Sequence, residues 1–237
     1  MQKRLLIIGI VLTLAVAGAG GIVFYYHYQN EHYVITEDAR IAADMVTITP
    51  EISGKILEWN IKEGDTVQAG QVIGRQDLSS VLTSSSVNPQ TMKAMAGVMA
   101  EKATLKAPIS GLVVQSKAVV GQMATPGMPL AVIADIENLY ISANIKEVTI
   151  SKVKVGQPVE VKIDAYLGRV LSGRVENIGT ATTSVFSLLP AQNSNGNYIK
   201  VTQVIPVKIR IVSRHNLKLM PGMNVTVKIH VDEASSS

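Results

Sequence analysis

One short stretch is written twice, and it constrains the fold more than any other feature. Ser53-Gly54, Gly64 and Gly70 recur as Ser110-Gly111, Gly121 and Gly127, each at an offset of 57 residues. The copies run from Thr49 to Arg75 and from Lys106 to Ala134; the glycines set the register, since Pro108 falls one residue late relative to Pro50. In the first copy Ile56, Leu57 and Trp59 to Ile61 make a strand-like run, and Lys62-Glu63-Gly64-Asp65 turns the chain. Val67 opens a short second strand, Gly70 breaks it, and Val72-Ile73 start a third. Glycine takes up the positive φ of tight turns at no steric cost. Strand, turn, short strand and turn within about 25 residues make half of a small β-sandwich. One copy cannot bury its own apolar face, whereas two copies bury each other's. Gly54, Gly64, Gly70, Gly111, Gly121 and Gly127 are therefore expected to be the structural turn positions of two half-domains. The rival reading, two unrelated hairpins with chance glycines, must account for a constant offset at every matched position.

The N-terminus has a different character. Leu5 to Tyr26 is a run of 22 residues without a charge. As a helix it would be about 33 Å long, enough to cross a hydrocarbon core of about 30 Å. Lys3-Arg4 precede it, which leaves the N-terminus in the cytoplasm and everything after Tyr28 outside. Phe24, Tyr25, Tyr26, Tyr28 and Tyr33 gather at the far end, where an interfacial aromatic belt would lie. A cleaved signal peptide is the alternative, because Ala15-Val16-Ala17 and Ala17-Gly18-Ala19 both resemble cleavage sites. The apolar run continues past both, which favours an uncleaved anchor.

Between the repeats, Ser79-Ser80 and Ser84-Ser85-Ser86 mark a polar stretch. Asn88-Pro89 then starts a predicted short helix that extends from Gln90 to Thr104 and is interrupted by Gly97. After Ala134 the period becomes two. Ile141, Ala143 and Ile145, then Val159, Val161, Ile163 and Ala165, alternate with polar residues. So do Val207, Ile209 and Ile211, and finally Val225, Val227, Ile229 and Val231. Such alternation marks antiparallel strands with one face in a core. Gly156, Gly168, Gly173 and Pro221-Gly222 punctuate them, which predicts a small β-barrel. Ser187 to Tyr198 reads as a long exposed loop and Ser235-Ser236-Ser237 as a frayed tail.

No constellation for catalysis emerges. The absence of cysteine excludes disulfides and Cys-ligated zinc. His27, His32, His215 and His230 form no metal-binding pair and read as surface residues. The net charge of +4 is dispersed, which argues against a nucleic-acid stripe. Met92, Met95 and Met99 share a helical face, which suits adaptable contact more often than a soft metal. Met92-Lys93-Ala94-Met95 superficially resembles a biotin site. A carrier lysine, however, would follow the first half directly, near Leu78 to Ser80, and no lysine is there. The chain is thus expected to be no enzyme, with no catalytic, cofactor-binding or metal residues and no cofactor.

Taken in order, these features resemble the HlyD/EmrA-type membrane fusion proteins, the periplasmic adaptors of efflux and secretion pumps. Thr36 to Arg40 resembles the family's leading strand, and Leu105 to Gly111 its return into the second half. Asp135 to Glu147 resembles the step into the barrel, Val155 to Val159 its next turn, and Gly222-Met223 its closing strand. Phe186 to Pro190, Asn197 to Gln203 and Pro206-Val207 resemble the branch that serves drug exporters of the major facilitator class. The resemblance implies a mainly β fold: a split lipoyl/biotinyl-like β-sandwich, then a small antiparallel β-barrel, with an N-terminal transmembrane helix and one short helix between the halves. It divides the chain into an anchor (1–28), a linker and first barrel strand (29–45), a lipoyl-like domain (46–80 plus 103–135), a helical insert (81–102), a barrel (136–231) and a tail (232–237). It further implies a non-enzymatic, homo-oligomeric adaptor, single-pass in the inner membrane with its bulk periplasmic, beside a major facilitator or ABC transporter. The alternative from another class is an extracytoplasmic protein that binds an apolar drug or soft metal. One departure is plain. The family inserts a long α-helical hairpin between the halves, and Leu78 to Ala103 is too short for it, which leaves contact with an outer-membrane channel open.

Overall fold

The computed structural model describes residues 31–77, 97–182, 202–213 and 217–231, with positions 18, 20, 21, 24 and 29 before them. The predicted loop at 187–198, the tail, His27, His215, Met92, Lys93, Met95 and most of the apolar run lie outside the described residues. Gly18, Gly20, Gly21 and Phe24 of that run are helical. Among the described residues no helix is long and apolar enough to cross a membrane. Two compact units are present, one formed by Ala42–Leu139 and one by the chain before and after it.

The inner unit is two four-stranded sheets. One has the order β3 (Met45–Ile48), β10 (Ala131–Ala134), β8 (Gly111–Ser116), β5 (Thr66–Val67). The other has the order β7 (Thr104–Lys106), β6 (Val72–Gln76), β4 (Gly54–Trp59), β9 (Met123–Ala124). The 57-residue offset carries β4 onto β8 and β5 onto β9 residue for residue. It therefore carries one sheet onto the other, and each half lends its short strand to its mate's sheet. Thr66 pairs with Leu112 as Met123 pairs with Lys55. The Gly64 N–H donates to the Val113 carbonyl at 2.9 Å, and the Gly121 N–H to the Ile56 carbonyl at 2.8 Å. A two-residue strand cannot hold a sheet edge by itself, so neither half is complete alone. Ile56, Ile61, Val67 and Ile73 of the first copy bury against Val113, Leu130 and Ile133 of the second. Leu57 is exposed, because a register shift between Ile56 and Glu58 points two successive side chains outward.

The outer unit is a seven-stranded antiparallel sheet. Its order is β1 (Tyr33–Thr36), β15 (Val225–His230), β12 (Pro158–Ile163), β13 (Val170–Ile178), β14 (Val204–Ile211), β11 (Tyr140–Lys146), β2 (Ala39–Ala42). β1 and β2 are consecutive in the chain yet lie at opposite ends of this order. Thr36 Oγ1 donates to the Asn144 carbonyl at 2.9 Å, and the Asn144 N–H to the Asp38 carbonyl at 2.8 Å. The Ile41 N–H donates to the Met223 carbonyl at 2.9 Å. These bonds close the sheet into a barrel and abolish its edges. The alternating Ile141, Ala143 and Ile145, Val159, Val161 and Ile163, Val207 and Ile209, and Val225, Val227 and Ile229 all point inward.

Two expectations are corrected. Ala165 is exposed, because β12 ends at Ile163 and the chain turns. Gly173 does not punctuate strands but lies inside the nine-residue β13, opposite Val159. A Cβ there would come 2.9 Å from Ile209 Cγ2, so glycine is needed for packing rather than for a turn. Residues 97–102 are helical, and Met99 there is half-buried.

Candidate functional site

The six glycines of the doubled motif fall into two physical classes. Gly64 (φ 91°) and Gly121 (φ 92°) occupy equivalent left-handed turns, as do Gly70 and Gly127. Gly54 and Gly111 instead open β4 and β8, with no positive φ. A Cβ on Gly54 would lie 2.6 Å from the Asp77 carbonyl oxygen, and one on Gly111 would strike that of Ala134. Those two carbonyls are again equivalent positions. The glycines thus serve both as hinges of the turns and as close-approach points between strands.

Sequence reasoning did not single out the pair on the symmetry axis. Trp59 Nε1 donates to Ser116 Oγ at 2.9 Å, and the two residues occupy the same position of the two copies. The Trp59 ring also covers Gly74, where a Cβ would come within 2.8 Å of it. The offset alone pairs Trp59 with Ser116, so the signal was present in the repeat.

The copies differ where they meet solvent. The first turn carries Lys62, Glu63 and Thr66; the equivalent turn carries Val119, Val120 and Met123. Val119 (61% exposed), Val120 (58%) and Met123 (56%) are turned outward, Met123 opposite Lys55 of β4, the strand that also carries the exposed Leu57. One frame therefore presents a charged turn and an apolar turn. Comparing the character of the copies, rather than their glycines, would have revealed this patch.

In the barrel, His230 was expected at the surface and is instead half-buried. Its Nε2 lies 3.0 Å from Glu160 Oε1, and its ring meets Tyr33 edge-on. Gln157 is wholly buried and fully used. Its Oε1 accepts from the Lys154 N–H at 2.9 Å, and its Nε2 donates to the carbonyls of Lys152 at 3.2 Å and Val231 at 3.0 Å. Among the described residues, no three His, Asp or Glu come together as a metal cluster. Among the described residues the geometry offers shaped surfaces and rigid frames.

Known proteins share this arrangement. Residues 44–136 match the family described as "RND MFP, barrel-sandwich hybrid domain", and residues 139–229 match the "YknX-like beta-barrel domain". YhbJ of Bacillus subtilis, which its name assigns to an efflux system, is 38% identical over 223 residues, covering 94% of this chain and 90% of YhbJ. The multidrug export protein EmrA of Escherichia coli is 37% identical over 133 residues, 55% of this chain but only 34% of EmrA. This chain thus spans about a third of EmrA's length. Among solved structures, a MacA-MexA chimeric protein superposes with a TM-score of 0.66 at 19% identity, covering 85% of this chain and 83% of that one. The membrane fusion protein Spr0693 of Streptococcus pneumoniae gives 0.57 at 16%, covering 84% and 100%. At those identities the superpositions speak for the fold, while the match to YhbJ extends over nearly both chains. The interlocked half-motifs, the closed barrel and these relatives lead to one conclusion: the chain belongs to the HlyD/EmrA-type membrane fusion proteins, the non-enzymatic adaptor subunits of efflux systems.

Proposed function

We propose that this adaptor is held in the inner membrane by residues 5–26, with both units outside the cytoplasm, beside a multidrug exporter of the major facilitator class. The observation that carries the reading is the order of parts in one chain: an uncharged 22-residue run, an interlocked half-motif unit, and a closed barrel. The likeness to EmrA, a protein named for multidrug export, supports the choice of exporter. The transporter does the work; the adaptor contributes geometry and a sealed path. Mild crosslinking in membranes followed by purification is expected to recover a polytopic transporter. Recovery with no transporter at all would sink the proposal.

Several copies form a ring through unlike contacts. In this reading the exposed apolar turn Val119-Val120, with Leu57 and Met123, meets a different face of the next copy. Such a heterologous contact closes into a ring when its rotation permits. Val119→Lys combined with Val120→Lys is expected to weaken self-association by at least about tenfold, two buried apolar contacts being worth more than about 1.4 kcal/mol. Sedimentation velocity would read the change, and Leu167→Lys, at a still more exposed barrel site, should leave the assembly intact. Equal assembly in both variants would remove this turn from the interface. The interval from Asp77 to Thr104 leaves room for one short helix, so the conduit does not reach outward on a long hairpin.

A further inference from the structure

The loop that joins β11 to β12 is built unlike an ordinary barrel loop. It is cationic, with Lys146, Lys152 and Lys154 against the single carboxylate of Glu147. Two of its apolar side chains are turned out, Val148 at 77% exposed and Val155 at 60%, while Val153 between them is buried. It is also fixed in place. The Gln157 Nε2 that donates to the Lys152 carbonyl also donates to the Val231 carbonyl, and the Val231 N–H donates to the His32 carbonyl at 2.9 Å. Three hydrogen bonds therefore tie the loop to His32, six residues beyond the apolar run. A cavity of about 460 Å³ lies beside it, lined by Gln29, Tyr33, Ile35, Lys146, Val148 and Lys152.

That tether sets a height. Gln29, Glu31 and His32 are helical, and at the helical rise the six residues from the end of the apolar run to His32 would span about 9 Å. The polar layer on each side of a bilayer is about 5–8 Å thick. A loop pinned at His32 thus lies at headgroup level, where the exposed Val148 and Val155 beside Lys146 and Lys154 suit a lipid surface. We propose that Lys146–Val155 rests on the lipid surface, with Val148 and Val155 among the headgroups and the lysines against phosphates of anionic lipid. The cavity beside Lys146 has room for such a headgroup. This inference rests on the reading that residues 5–26 span the bilayer.

The chain has no cysteine, so single-cysteine probes report without background. Full-length protein with an environment-sensitive fluorophore at Val148→Cys, Leu167→Cys or Leu12→Cys is placed in phosphatidylcholine nanodiscs with or without phosphatidylglycerol. Leu167 lies in the turn beyond the far end of β12 and serves as the distant control. Headgroup nitroxides are expected to quench the Val148 probe strongly with phosphatidylglycerol present, and to leave the Leu167 probe unaffected. Acyl-chain nitroxides should quench the Leu12 probe. Each of Lys146→Gln, Lys152→Gln and Lys154→Gln should lower the docked-to-undocked ratio at Val148 by about fivefold. A Val148 probe no more quenched than Leu167, with Leu12 quenched, overturns the lipid contact alone. An unquenched Leu12 probe overturns the membrane span, and the lipid contact falls with it.

Discussion

Gly111→Ala is expected to lower the melting temperature of the inner unit by roughly 12–24 °C, the shift that a loss of about 3 kcal/mol produces in a domain of this size. The added Cβ would strike the Ala134 carbonyl, and that carbonyl has nowhere to retreat. Ala134 is paired with Leu112 on one side and with Met45 on the other, so moving it breaks two ladders. Gly64→Ala tests the other class of glycine. Its φ of 91° is strained for alanine but the space around it is open, so the cost falls to about 1–2 kcal/mol. Gly97→Ala completes the series. It is a helical position with nothing within 4 Å, and there alanine should stabilise by up to about 1 kcal/mol. Trp59 is the only tryptophan and lies in this unit, so its emission follows the inner unit separately from the barrel. If Gly111→Ala shifted the transition no more than Gly97→Ala, the close approach of β8 to β10 would not be what holds the second half in shape.

The repeat made the inner unit legible because glycine leaves few physical choices. A constant offset over positions that must turn or admit a close neighbour implies two copies of one frame. The exchange of β5 and β9 between the sheets was not legible, since a two-residue strand has no period to read. Nor was the outward Leu57, because a bulge shifts the inside–outside phase without any mark in the residues themselves. In the barrel, the strict alternation of β11, β12 and β15 announced the buried face directly. Gly173 misled, because a glycine that admits Ile209 looks in sequence like one that ends a strand. Gln157 was missed for a related reason. A glutamine between Gly156 and Pro158 reads as turn filler, and only the fold shows that it bonds three backbone groups and so joins the 152–154 loop to Val231.

The short interval between the halves bears on what the adaptor reaches. YhbJ aligns with 94% of this chain while itself being 90% covered, which leaves it little room for an added hairpin. EmrA, by contrast, has most of its length outside the alignment. In the proposed arrangement such an adaptor stands beside its transporter with only the interval from Asp77 to Thr104 between its halves. Its assembly then depends more heavily on contacts close to the membrane.

Deletion of residues 1–28 is therefore expected to have the largest effect on location and almost none on fold. The first strand begins at Tyr33, and the Val231 N–H donates to the His32 carbonyl, which the deletion retains. Among the described residues no ladder uses an earlier one, so the melting transitions of both units should move by less than about 0.5 kcal/mol in stability. Membrane retention is another matter. Leu5, Leu6, Leu12, Leu14, Ile7, Ile8, Ile10, Ile22, Val11, Val16, Val23 and Phe24 lie in the run. At about 0.3–0.6 kcal/mol each they favour insertion by about 4–7 kcal/mol, a partition factor of roughly a thousand to a hundred thousand. Three lysines and two valines on the β11–β12 loop cannot replace that, and what they retain should vanish at high salt because it is screened. Fractionation of cells carrying the truncated chain is expected to place it in the soluble fraction with both units folded and efflux lost. A truncated chain that stayed on membranes through a high-salt wash would show that some other part of the molecule is the anchor.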